Sequence, residues 1–175
     1  MRKPITLLAS AIVCIAPLLP AVAEVDLFDI QAAVLLGETT VKVPAEAKEV
    51  DLPAIASCIK GAKGITLDLS ATKIKVISDS AFSGCTALKE VILPSTLTSI
   101  EDEVFWWCES LTSITIPSSV TSIGDSAFWG CTSLSSITFA RTGGWYLDEA
   151  LTQSVGSGEL SSYLEAGKAL YMRCD

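Results

Sequence analysis

Leu88-Lys-Glu-Val91-Ile-Leu93-Pro94-Ser-Thr-Leu97-Thr-Ser-Ile100-Glu-Asp102-Glu-Val-Phe105-Trp106-Trp107-Cys108-Glu-Ser110 runs straight into Leu111-Thr-Ser-Ile114-Thr-Ile116-Pro117-Ser-Ser-Val120-Thr-Ser-Ile123-Gly124-Asp125-Ser-Ala-Phe128-Trp129-Gly130-Cys131-Thr-Ser133. The two stretches agree at 11 of 23 positions. Working outward, Ile77, Asp79, Phe82 and Cys85 stand 23 residues before Ile100, Asp102, Phe105 and Cys108. An earlier copy spans Ile65 to Ala87, with one extra residue before Ile77, and a last one stops after Leu134-Ser-Ser-Ile137-Thr-Phe139. Self-similarity at a fixed period of this size marks a stacked repeat architecture, because one unit cannot bury its apolar face alone.

Each unit opens like a strand. Ile114 and Ile116 point one way while Ser113 and Thr115 point the other. Pro117 ends the strand because it has no N–H for a ladder. Val120 and Ile123, three apart, read as a tight turn packed from the opposite side. Asp125 precedes Ser-Ala-Phe, where its carboxylate can cap the N–H groups of a short turn. The spacing therefore predicts an α/β-type repeat solenoid with one parallel strand per repeat of about 23 residues. Its far side is irregular and built of short turns, and both ends are capped. The expected core is Leu88, Val91, Leu93, Ile100, Phe105 and Cys108, continued by Leu111, Ile114, Ile116, Ile123, Phe128 and Cys131.

Leu88-xx-Val91-x-Leu93-Pro94 followed by Ile100, Phe105 and Cys108 resembles the BspA-like, or treponemal-type, bacterial leucine-rich repeats. So does Leu111-xx-Ile114-x-Ile116-Pro117 followed by Ile123-Gly124-Asp125-Ser126-Ala127-Phe128-x-Gly130-Cys131. The resemblance covers about residues 65–139. The tail around Trp145-Tyr146 and Ala169-Leu-Tyr-Met is similar to the terminal cap of treponemal members. The resemblance implies a leucine-rich-repeat stack. It also implies an exported or surface protein whose partner is a host matrix protein or a protein on a neighbouring cell.

Composition narrows the chemistry. The chain has 175 residues, the size of one domain, and half of them are hydrophobic. It has no histidine, which removes Ser-His-Asp and Cys-His catalysis and HExxH zinc sites. Twenty acidic against twelve basic residues give a net charge of −8. Such a chain repels phosphates, and beyond Arg2-Lys3 its densest basic pair is only Lys73 with Lys75, so no nucleic-acid partner is expected. No enzymatic activity, cofactor or metal is expected either.

The N-terminus reads as a secretory signal over residues 1–23. Arg2 and Lys3 precede an apolar stretch from Ile5 to Leu19, and Ala21-Val22-Ala23 offers small residues at the cleavage positions. Removal would leave ten basic and twenty acidic residues, a charge of −10. A lipid anchor at Cys14 is disfavoured, because Val13 is bulky and Ile15 to Val22 stay apolar. No other stretch is long and apolar enough to span a membrane. Residues 24–64 form an expected N-terminal cap, residues 65–139 the repeats and residues 140–175 a C-terminal cap. In the first cap, Asp51-Leu52-Pro53 opens a helix through Ile59 or Ala62, with Asp51 as N-cap. Thr39 to Val43 can be a strand. In the second, Trp145-Tyr-Leu can pair with Ala169-Leu-Tyr-Met, and Leu160 to Ala166 reads as a short helix.

Four groups invite a site. Cys85, Cys108 and Cys131 recur without the close pairing that zinc sites use. They read first as buried thiols, with a disulfide as the alternative. Asp79, Asp102 and Asp125 read first as turn caps, with calcium ligation as the alternative. The outward strand positions Ser113, Thr115, Ser136 and Thr138 are either a solvated sheet face or a shallow polar binding face. Trp106, Trp107 and Trp129 are expected on neighbouring turns, where the first repeat has Ser83 and Gly84. They either form an exposed apolar patch that binds a partner or lie flat over adjacent repeats. The function so read is an exported, non-enzymatic protein-binding module, secreted or held at the cell surface. The alternative is a structural protein of the periplasm or envelope whose repeats serve assembly.

Overall fold

Alternating apolar residues place the strands of each repeat at matching heights, and the computed structural model, which describes residues 27–141, 144–146 and 170–172, stacks them. The order is α1 (Leu27–Leu35), β1 (Thr40–Lys42), α2 (Leu52–Ile59), β2 (Ile65–Asp68), β3 (Val76–Ile77), β4 (Leu88–Ile92) and β5 (Ser99–Ile100). Then come β6 (Ser113–Ile116), β7 (Ser122–Ile123), β8 (Ser136–Phe139), β9 (Trp145–Tyr146) and β10 (Leu170–Met172). The signal segment, Cys14 and the expected helix at 160–166 lie outside the described residues.

The first sheet runs β1-β2-β4-β6-β8, all parallel. Its register follows the repeat: Glu90 pairs with Ser113 and Val91 with Ile114, then Ser113 pairs with Ser136 and Thr115 with Thr138. The far side, read from sequence as turns alone, carries a second ladder. β3, β5 and β7 pair in parallel, each only two residues long. β10 then pairs antiparallel with both β7 and β9, bringing Tyr171 opposite Ser122 on one side and Tyr146 on the other. The expected pairing of the two tail segments is therefore present, and it closes the second sheet.

One apolar cluster joins the two ladders. Every residue expected in the core is buried: Leu88, Val91, Leu93, Ile100, Phe105, Cys108, Leu111, Ile114, Ile116, Ile123, Phe128 and Cys131. Phe105 lies between Phe82 and Phe128, with ring centroids 5.7 and 5.3 Å apart and planes nearly parallel. At the C-terminal end, buried Trp145 meets Phe139 edge-on at 5.6 Å and donates its Nε1–H to the Arg141 carbonyl at 3.0 Å.

The N-terminal end is closed by two devices. β1 covers the edge of β2, and α1 packs on α2 beside it. α2 forms because Leu52, Ile55, Ala56 and Ile59 fall on one buried face, with Pro53 in its first turn. Asp51 does not cap this helix. It ends a 3-10 turn over Glu49–Asp51, and its Oδ2 accepts the Lys48 N–H at 2.8 Å, because the chain is already helical where a cap would sit. The exposed edge of β3 meets the Glu49 carboxylate, whose Oε1 accepts the Val76 N–H at 3.1 Å. A side chain thus stands in for the strand that a preceding repeat would supply. α1 was not anticipated from sequence; only Ile30 of its nine residues is fully buried, so its apolar pattern is weak.

Candidate functional site

The turn that leads from the second ladder back to the first sets the position of the tryptophans. Its backbone is itself a ladder. Ser80, Phe82 and Gly84 donate to the carbonyls of Asp102, Val104 and Trp106, at 2.9, 3.0 and 2.7 Å. Glu103, Phe105 and Trp107 donate in turn to Asp125, Ala127 and Trp129, at 2.9, 2.8 and 2.8 Å. With alternate N–H groups committed across repeats, the residues at 106 and 129 are held on adjacent rungs. Phe105 and Cys108 face the core, which leaves the two residues between them at the surface.

The structure brings Trp106, Trp107 and Trp129 together. Their ring centroids are 5.7, 6.0 and 5.7 Å apart. Trp106 and Trp129 are nearly parallel, while Trp107 is tilted 58° and 64° to them. Trp106 is half-buried, and Trp107 and Trp129 are 40% and 43% exposed. Trp107 has a φ of 54°, in the left-handed region. The equivalent positions are Gly84 and Gly130, with φ of 64° and 79°. A side chain there costs roughly 1–2 kcal/mol of backbone strain that glycine avoids. The Trp107 ring also lies over Gly130, whose missing Cβ would sit 3.0 Å from it. Both sequence readings of the cluster therefore have a structural counterpart: the indoles touch the neighbouring repeat and still present a shared apolar surface.

The outward sheet positions form a separate feature. Ser113 is half-buried, and Thr115, Ser136 and Thr138 are exposed. Ser113 and Thr115 line a groove of 350 Å³ with Glu90, Ile92, Ser95 and Pro117 among its walls; Ser136 and Thr138 are not in its lining, and neither is any tryptophan. Ser95 and Pro117 were not expected there, although each stands just beyond the strand that carries the groove. A larger hollow of 780 Å³ lies at the N-terminal end between Ala45–Val50 and Lys73-Ile74, with no signal in the sequence.

The cysteines and aspartates act between repeats. Cys85, Cys108 and Cys131 are buried and unbonded to one another. Cys108 Sγ donates to the Phe82 carbonyl at 3.2 Å, and Cys131 Sγ to that of Phe105 at 3.1 Å. Burial pushes the Cys85 and Cys131 thiols up to about 11 and raises Cys108 further. Asp79 and Asp102 do not cap their own turns. Asp79 Oδ1 accepts the Asp102 N–H at 3.2 Å, and Asp102 Oδ1 accepts the Asp125 N–H at 2.8 Å. Hydroxyls bridge rungs likewise, as from Thr98 Oγ1 to the Lys75 carbonyl at 2.9 Å and between Ser99 and Ser122 at 2.8 Å.

A family model described as a BspA type leucine rich repeat region (6 copies) matches residues 41–150. The chain belongs to this family. Two solved structures are similar to it. A leucine-rich repeat protein of T. pallidum is 27% identical, with a TM-score of 0.42, over 55% of this chain and 45% of that one. A leucine-rich cell surface protein from Faecalibacterium prausnitzii is 22% identical, with a TM-score of 0.37, over 68% of this chain and 35% of that one. The chain thus spans less than half the length of either. No curated protein matches it. Leucine-rich repeats of this kind generally serve as non-enzymatic, protein-binding modules. Among the described residues, no helix is long and apolar enough to cross a membrane, and no group of three or more His, Cys, Asp or Glu is placed to hold a metal ion.

Proposed function

We propose that this leucine-rich-repeat chain is an exported, surface-associated, adhesin-like protein. It attaches to a host matrix protein or to a protein on a neighbouring cell through the Trp106, Trp107 and Trp129 patch. Ser113, Thr115, Ser136 and Thr138 supply a polar surface on the sheet. One observation carries the reading. Trp107 occupies a left-handed position where both sister repeats have glycine, and it remains 40% exposed. Ser80, Glu103 and Ser126 are left-handed too, one in each repeat turn, so what sets Trp107 apart is a large apolar ring kept exposed where both sister repeats have glycine. Tryptophan is also enriched where interfaces concentrate their affinity. The Arg2-Lys3 leader and the Ala21-Val22-Ala23 cleavage residues support export.

The test is a binding series against extracellular matrix proteins, with surface labelling of intact cells beside it. The cleanest pair to change is Trp107→Gly with Trp129→Ser, because Trp106 is half-buried and its loss would disturb packing. Binding per folded molecule should fall at least tenfold, about 1.4 kcal/mol, with the melting temperature nearly unchanged. Unaltered binding would return the indoles to a packing role. A chain labelled only after cell lysis would point instead to assembly within the envelope.

A further inference from the structure

Resting on the binding role proposed above, we infer that the tryptophan patch receives a cationic side chain: an arginine in an exposed basic segment of the partner protein. The first support is the charge around the patch. Between Lys89 and Arg141 the chain has no lysine or arginine, while Glu90, Glu101, Asp102, Glu103, Glu109 and Asp125 lie in that interval. Asp102, Glu103 and Glu109 are exposed, on the turn of Trp106 and Trp107 or just beyond it. The Glu103 backbone carbonyl accepts the Trp106 N–H at 3.0 Å, and its carboxylate accepts the Ser80 hydroxyl at 3.3 Å. Exposed carboxylates thus flank the indoles along the chain, and from Glu90 to Ala140 the repeats carry no lysine or arginine to compete.

The second support is ring orientation. A cation is drawn to the face of an indole, and Trp is the best of the aromatic faces for it. With Trp106 and Trp129 nearly parallel and Trp107 tilted about 60° to both, the cluster presents indoles in two orientations to an incoming group. A planar guanidinium can stack there and keep N–H donors free for the neighbouring carboxylates, which a compact ammonium does less well. The backbone ladder holds the platform in place before binding, so little ordering is needed on association.

The experiment titrates the whole exported chain with an acetylated Gly-Arg-Gly-Arg-Gly amide and with its citrulline counterpart, a neutral near-isostere. Indole fluorescence and the Nε1–H resonances of the tryptophans report binding. The arginine peptide should saturate the indole signals at a concentration at least tenfold lower than the citrulline peptide. That preference should shrink when salt is raised, and it should vanish in Trp107→Gly with Trp129→Ser. Glu103→Gln with Glu109→Gln should weaken the arginine peptide severalfold while leaving the citrulline peptide unchanged. Equal binding of the two peptides would overturn the cation inference while leaving the patch as a binding surface. Arginine binding that survives loss of both tryptophans would also overturn it, because the charge alone would then suffice. So would silence toward both peptides at millimolar concentration; retained matrix-protein binding in the wild type would then show that the wider reading stands without it. Phosphatidylcholine vesicles form a separate arm. Indole shifts with these vesicles, and none with the arginine peptide, would assign the patch to a lipid headgroup and overturn the protein partner.

Discussion

Phe105 has no exposed surface and is sandwiched between the rings of Phe82 and Phe128. Its truncation to alanine leaves a cavity that two neighbouring repeats share. Urea denaturation should show Phe105→Ala losing roughly 3–5 kcal/mol; a loss under about 0.5 kcal/mol, far below that range, would place the ring outside the core. Trp107 behaves in the opposite way. Replacing it with glycine removes its contact over Gly130 and also relieves the left-handed strain, so the two effects offset. The stability of Trp107→Gly should stay within about 1 kcal/mol of the parent, given that the strain itself is worth about 1–2 kcal/mol. Trp107→Ala keeps the strain and loses the contact, so it should melt below Trp107→Gly. The reverse order of melting temperatures would show that the backbone at 107 is not strained.

The strands are short elements whose stability comes from stacking. A two-residue strand such as β5 makes too few bonds to persist alone, and Thr98, Ser99 and the Asp102 carboxylate tie it to its neighbours. The close approach of rungs appears at Gly124. A Cβ there would lie 2.3 Å from Asp102 Oδ1 and 2.6 Å from the Asp102 nitrogen and the Glu101 carbonyl carbon. Two of these are backbone atoms, which cannot swing aside. Gly124→Ala should therefore push β7 away from β5 and cost about 1–3 kcal/mol. Thermal melts measure the loss, and the amides of Asp125 and Ile123 should exchange faster with solvent. A variant as stable as the parent would mean that the rungs can separate there without penalty.

At the scale of the whole molecule, the thiol column couples stability to alkaline pH. The ordinary thiol value is 9.0, and burial raises Cys85 and Cys131 to about 11 in the folded chain. The folded state therefore holds protons that the unfolded state has released, and this contribution is fully present below pH 9. It is lost as pH rises from about 9 through about 11. Denaturation between pH 8 and 11 should show a decline that is absent in a triple alanine variant at 85, 108 and 131. That variant differs from the parent only at the three thiols, so the difference between the two curves isolates them. Native thiol titration should label half-buried Cys58 ahead of the three column cysteines, which should react only in denaturant. Reaction of all of them at one rate in the native state would contradict the buried column.

The repeat, the strand of each repeat, the apolar column and the adjacency of the tryptophans were all legible in the sequence. Recurrence at a common offset puts residues in equivalent surroundings, so Leu88 and Leu111 or Phe105 and Phe128 must share a fate. What periodicity does not carry is which atoms meet between rungs. The Asp102 carboxylate bonds a residue 23 positions on rather than its own turn. The second ladder has strands of two residues, too short for alternation to reveal. α1 buries too narrow a stripe to be read from its pattern. The antiparallel closure by β10 joins Leu170 to Ile123, across a long stretch of chain with no shared motif. The left-handed backbone at Trp107 was hinted at only by Gly84 and Gly130, and its ring meets Gly130 because stacking brings that glycine beneath it. Sequence determined which residues are equivalent, since burial repeats with the chain; tertiary structure alone decided the partners, since hydrogen bonds and ring contacts depend on the distance between rungs.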